Sequence, residues 1–153
     1  MRRFLLVLTL LPIFAHVTLI TAVEGQRSVR SRLVGNSYRL DADLTEAYLR
    51  ENDIMPDKAL QAMAPYWEKL IVRWEKKAVH ADARSGQTLV PYEVVSDDGK
   101  RMVYRVRNSN GVFESMTIVP AKDGYWQESK HLPGYREFFH NLEANEKVDP
   151  AAN

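Results

Sequence analysis

The chain has 153 residues, 45% of them hydrophobic and 27% charged, with 21 Lys and Arg against 20 Asp and Glu. That length fits one ordinary domain, and the balanced charge excludes a strongly basic nucleic-acid binder or an acidic solvating chain. There is no cysteine, which excludes disulfides, thiolate nucleophiles and Cys-ligated metals.

The clearest signal lies at the N-terminus. Arg2 and Arg3 precede an uncharged run from Phe4 to Val23, long enough at about 1.5 Å per residue to cross a bilayer core. A short basic start ahead of an apolar run is also the layout of a secretory signal. Residues 1–25 are therefore expected to be a signal peptide cut before Gln26, or a signal anchor retained as a transmembrane helix. Pro12 favours the cleaved form, because proline disfavours a straight spanning helix. Either way the body is expected outside the cytoplasm. It would be secreted or periplasmic, or anchored by a single pass with membrane contact through residues 4–23.

Residues 26–44 read as linker. Their first part lacks hydrophobic periodicity, contains the turn signal Gly35-Asn36-Ser37 and carries four arginines with no acid before residue 40. The globular domain is expected over 45–145, with 146–153 a frayed tail. Thr45 can cap a short helix over 46–51. The acids Asp41 and Asp43 begin like a calcium loop, but glycine is missing from its sixth position and helix capping explains them more simply.

A longer helix is expected over 57–81. Leu60, Met63, Trp67, Leu70, Ile71, Trp74 and Ala78 follow one another at helical steps, interrupted by Pro65. At that spacing Trp67 and Trp74 read as core residues rather than as a ligand box.

Asp97-Asp98-Gly99, Ser109-Asn110-Gly111 and Asp123-Gly124 then punctuate a strand-rich region and predict hairpins. Three-residue loops set Val94 opposite Met102, Tyr92 opposite Tyr104, Met102 opposite Ile118 and Tyr104 opposite Met116. One face of the sheet is then consistently apolar, as register selection requires. The other face carries Glu93, Arg101, Arg105, Arg107 and Phe113, a mixture of charge and aromatic side chain of the kind enriched in protein interfaces. A last helix over 134–145 places Tyr135, Phe138, Phe139 and Leu142 on one stripe.

The fold class expected is α+β: an N-terminal hydrophobic segment, helices packed on one face of a four-stranded antiparallel meander, and a C-terminal helix. This element order is similar to that of cystatin-like and nuclear-transport-factor-like domains, without a shared motif.

Chemistry-bearing motifs are few. The histidines lack the spacing of a helical zinc pair, and Glu137-Phe138-Phe139-His140 is a single copy of an element that di-iron bundles use in pairs. No nucleophile elbow, phosphate loop or dinucleotide fingerprint occurs. Glu93, His80 and Tyr104 could meet only if the fold brought them to one cleft. The function expected is a non-enzymatic binding or assembly module without catalytic residues, metal or cofactor. Its partner would be an acidic protein or a membrane-associated complex, not nucleic acid, engaged through Arg101, Arg105, Arg107 and Phe113. The alternative is a small-ligand-binding domain or hydrolase with a pocket between the Trp-rich helix and the sheet.

Overall fold

The structure, a computed structural model, describes residues 27–142. Eight antiparallel strands close into an up-and-down barrel in which each strand pairs with its neighbours in sequence and the last pairs with the first. They are β1 (Ser37–Leu40), β2 (Ile71–Trp74), β3 (Ala78–Ala83), β4 (Gly86–Asp97), β5 (Met102–Arg107), β6 (Phe113–Ala121), β7 (Gly124–Ser129) and β8 (Arg136–Asn141). Three short helices accompany them: α1 (Val29–Leu33), α2 (Ala42–Glu51) and α3 (Asp57–Trp67).

This closed barrel replaces the expected α+β layer of helices on a four-stranded meander, and with it the cystatin-like and nuclear-transport-factor-like order. The expected helix over 57–81 stops at Trp67, two residues after Pro65. The residues beyond it form the hairpin β2–β3, where Val72, Trp74 and Val79 point inward and are buried, while Arg73 and His80 are exposed. Ile71 and Val72 are β-branched and favour a pleated surface. The turn over Glu75–Lys77 closes on a Glu75 N–H to Ala78 carbonyl bond of 2.9 Å without glycine.

The expected C-terminal helix is strand β8. Its two adjacent buried rings have separate surroundings, since Phe139 stacks on Tyr125 inside the barrel and Phe138 meets Trp126 edge-on outside. A strand buried on both faces loses the alternation that marks a half-exposed one. Residues 29–40 supply α1 and β1, and α2 begins at Ala42, with Asp41 rather than Thr45 at its N-cap.

No described helix is long and apolar enough to cross a membrane, so the transmembrane helix expected of residues 4–23 is not among these elements. That run, with the whole segment 1–25 and the tail 146–153, lies outside the described residues.

The meander expected between β4 and β7 is present as part of the barrel. Met102 pairs with Ile118 and Tyr104 with Met116, as expected. Between β4 and β5 the register is displaced by two residues: Val94 pairs with Tyr104 and Tyr92 with Val106, with a bulge between Val94 and Ser96. A two-residue displacement keeps the same side chains inside. Between β6 and β7 the turn is so tight against β8 that a Cβ on Gly124 would lie 1.9 Å from the Phe139 carbonyl oxygen, so only glycine fits.

The barrel interior is aromatic. Trp74 meets Tyr92, Tyr104 and Tyr125 edge-on at 5.1 to 6.2 Å, and its indole N–H donates to the Tyr125 hydroxyl at 3.1 Å. At this end α1 buries Val29 and Leu33. Its first amides, from Val29 and Arg30, donate to the Asp97 carboxylate at 2.8 and 2.9 Å. Burial works against the charge on Asp97, but amide bonds from Arg30, Val29 and Gly99 outweigh it and hold the pKa below the usual value. The outward faces carry exposed Arg39, Arg73, Glu93 and Arg105. Apolar inside and charged outside is the reverse of a lipid-embedded barrel.

Candidate functional site: a pocket at the mouth of the barrel

The link from β1 to β2 contains α2 and α3 and lies at the end opposite α1. Beneath it a cavity of about 320 Å³ opens at the barrel mouth. Met55 and Met63 line it from the helical link, Met116 from β6, and Gln127 and Ser129 from β7. Leu132 and Tyr135 come from the β7–β8 loop, and Glu137 comes from β8. The strand residues follow from parity: Gln127 lies two residues from inward Tyr125, and Glu137 two from inward Phe139.

Glu137 is the one carboxylate in this lining. The Tyr135 hydroxyl donates to its Oε1 at 2.6 Å and the Trp67 indole N–H donates to the same oxygen at 3.3 Å. Oε2 takes neither bond. No Lys, Arg or His among the described residues forms an ion pair with this carboxylate. Burial raises its pKa above the ordinary carboxylate value, and the Tyr135 and Trp67 bonds offset only part of that. Burial, reinforced by the charge of Glu137, also raises the Tyr135 pKa, which keeps the phenol a donor at neutral pH. Deeper in, the Tyr104 hydroxyl donates to Gln127 Oε1 at 2.7 Å and so fixes the amide that borders the cavity.

The expected interface residues lie elsewhere, on the outer wall. Arg107 pairs with Phe113 across β5–β6. The Arg105 and Arg107 guanidinium groups stand 4.4 and 4.7 Å from the Phe113 ring centroid. Arg105 also pairs with Glu93 at 2.6 Å. Arg101 stands apart from this cluster and reaches Glu128 at 3.6 Å.

Glu93, His80 and Tyr104 do not converge. Tyr104 is buried inside, while His80 is outside with its Nε2 3.1 Å from Glu75 and Glu93 is bound to Arg105. Among the described residues no group of three His, Asp or Glu is placed to hold a metal ion.

In the sequence Tyr135 falls on a helical stripe and Glu137 in an isolated Glu-x-x-His element, and neither pattern marks a site. An acid two residues from an aromatic, in a segment otherwise rich in phenylalanine, was the available signal. Comparison with known proteins finds no match to a protein-family model, to a curated protein or to a solved structure.

The electrostatics give a signed expectation. A raised folded pKa means that the native state holds the Glu137 proton more tightly than the unfolded chain. That contribution to stability is fully present below the unfolded value of about 4.3 and is lost as pH rises through the folded value. Glu137→Gln keeps an acceptor for Tyr135 and Trp67 but cannot ionise. The variant should therefore gain stability relative to the wild type as pH rises from 4 to 8, measured by urea unfolding at each pH. A constant difference across that range means that Glu137 ionises as freely in the fold as in the unfolded chain.

Proposed function

We propose that the protein is a non-enzymatic binding module that takes one small, largely apolar molecule into the mouth of its barrel. The observation that carries this reading is the pocket itself, an opening lined mainly by apolar groups with a few fixed polar ones at its inner side. Its volume of about 320 Å³ stands at the lower end of the roughly 300–1,000 Å³ usual for small-molecule sites, so the ligand is compact. Eight-stranded barrels have interiors that side chains can fill or that can hold one small ligand. Here Trp74 and its tyrosines fill one end and leave the other open. Methionines suit such a lining because their unbranched thioether chains repack around different shapes.

The full chain should enhance the fluorescence of the neutral apolar dye N-phenyl-1-naphthylamine with saturation at one site. Met116→Trp, which fills the cavity from β6, should weaken that binding about tenfold or more, equivalent to about 1.4 kcal/mol. Circular dichroism should remain that of the wild type. If the folded variant binds the dye as the wild type does, the mouth pocket is not the site.

A second reading rests on the outer wall, where two guanidinium groups share the exposed Phe113 ring. Arginine beside an exposed aromatic suits an acidic protein partner, with Arg101 at the edge of the surface. Arg105→Glu combined with Arg107→Glu should abolish capture of such a partner and leave the fold unchanged, since both side chains lie outside the barrel. Recovery of the same partners by the folded double variant rules this face out.

For location, the Arg2-Arg3 pair and the uncharged run behind it support export of the barrel, secreted, periplasmic or held at a membrane. Intact mass of the native protein should show a chain that begins at Gln26. Retention of residues 1–25 in the membrane fraction would replace cleavage with anchorage.

A further inference from the structure

We infer that the molecule bound at the barrel mouth is a compact apolar amine, held by an ion pair between its ammonium group and Glu137. This inference rests on the pocket being a binding site, and it specifies the ligand's chemistry. Glu137 is half-buried and its second oxygen still reaches water, but a ligand seated over it removes that water, which is costly unless the ligand brings a positive charge or donors. Glu137 has two donors, Tyr135 and Trp67, and both are spent on Oε1. None of the described cations pairs with it.

The nearest contrast within the molecule is Asp97, whose two oxygens receive amide bonds from Val29, Arg30 and Gly99. That carboxylate is complete. Glu137 has no protein partner on its second oxygen, which opens to solvent, and it borders a cavity whose other walls are mainly methionine, leucine and tyrosine.

The pocket cannot supply the missing charge, so a ligand that brings it gains more there than one without it. A metal ion does not fit, because one carboxylate without further His, Asp or Glu nearby is too poor a ligand set. An anion would meet Glu137 with like charge. A neutral ligand could fill the apolar space but would leave the carboxylate uncompensated. A protonated alkylamine with an aliphatic or aromatic body meets both halves of the site.

Isothermal titration of the full chain at pH 8 with 2-phenylethylamine, 2-phenylethanol and 3-phenylpropionate separates these cases. The amine should bind about tenfold or more tightly than the alcohol, as expected when a close charge pair forms out of water. The acid should bind most weakly. In Glu137→Gln the amine should lose its advantage over the alcohol, with circular dichroism of the variant as the control for folding.

Equal binding of amine and alcohol by the wild type overturns the inference, as does an amine preference that survives Glu137→Gln. Dye binding without amine binding also overturns it and leaves the pocket standing as a site for neutral ligands. Failure of the wild type to bind any of these ligands, the dye included, removes the pocket reading together with the inference.

Discussion

Closure of β1 onto β8 is the constraint on which the rest of the molecule depends. The seam is short, with Tyr38 opposite Asn141, Arg39 opposite His140 and Leu40 opposite Phe139. It removes both free sheet edges and fixes how much space lies inside. Into that space the strands send Trp74, Tyr92, Tyr104, Tyr125 and Phe139, all buried. An eight-stranded barrel has an interior that such rings can fill level by level. They fill the end beneath α1, and at the other end the inward positions carry Met116, Gln127, Ser129 and Glu137. The cavity is thus a consequence of where the bulk was placed along the strands.

The two ends of the barrel also treat charge differently. Beneath α1 the Asp97 carboxylate is surrounded by backbone amides, and the helix is bound to the β4–β5 hairpin through it. That arrangement is structural: the acid satisfies the open amides of a helix start, and the helix stabilises the acid. At the mouth Glu137 is held by two aromatic donors that leave half of its carboxylate without a partner. One acid is bound on both oxygens by the backbone, whereas the other meets the protein through one oxygen and opens to the cavity through the second.

How much of this was legible in the sequence depended on whether a segment was exposed on one side. Strands β4 to β7 alternate, have glycine at their turns and were read as hairpins, with the β5–β6 register obtained directly. The β4–β5 register differs because the turn closes on Asp97 opposite Met102, one residue longer than the expected three-residue loop, and the bulge between Val94 and Ser96 then restores the inward parity; neither leaves a compositional mark. The segments 71–81 and 136–141 carry a helical reading for two physical reasons. Trp67, Leu70, Ile71, Trp74 and Ala78 fall at helical steps by coincidence across the junction of α3, β2 and β3, and the turn between those strands lacks glycine. Strand β8 is buried inside by its barrel neighbours and outside by α2, so its pattern is continuous. The outer-wall arginines stood out because charge is visible in a sequence. Glu137 did not, since its meaning comes from Trp67, seventy positions away in the chain.

The first turn of α2 ties the helical link at the mouth to strand β8. Strand β1 ends at Leu40, one residue short of covering Phe138. There the chain turns into α2 and continues the pairing by other means. The Asp41 N–H donates to the Phe138 carbonyl at 2.8 Å, and the Phe138 N–H donates to the buried Thr45 hydroxyl oxygen at 3.0 Å. The helical link is thereby joined to β8 at the residue next to Glu137. It is joined again from inside, where Trp67 at the end of α3 reaches Glu137 itself. Gln127, Ser129 and Glu137 thus belong to strands and Trp67 to a helix end joined to β8 twice over, whereas Tyr135 reaches Glu137 from the loop that leads into β8. Met55, between the two helices, and Leu132, in the β7–β8 loop, belong to connecting segments. The Glu137 carboxylate is therefore oriented by a helix end on one side and by a loop on the other, while the apolar lining comes from a helix, a strand and loops alike.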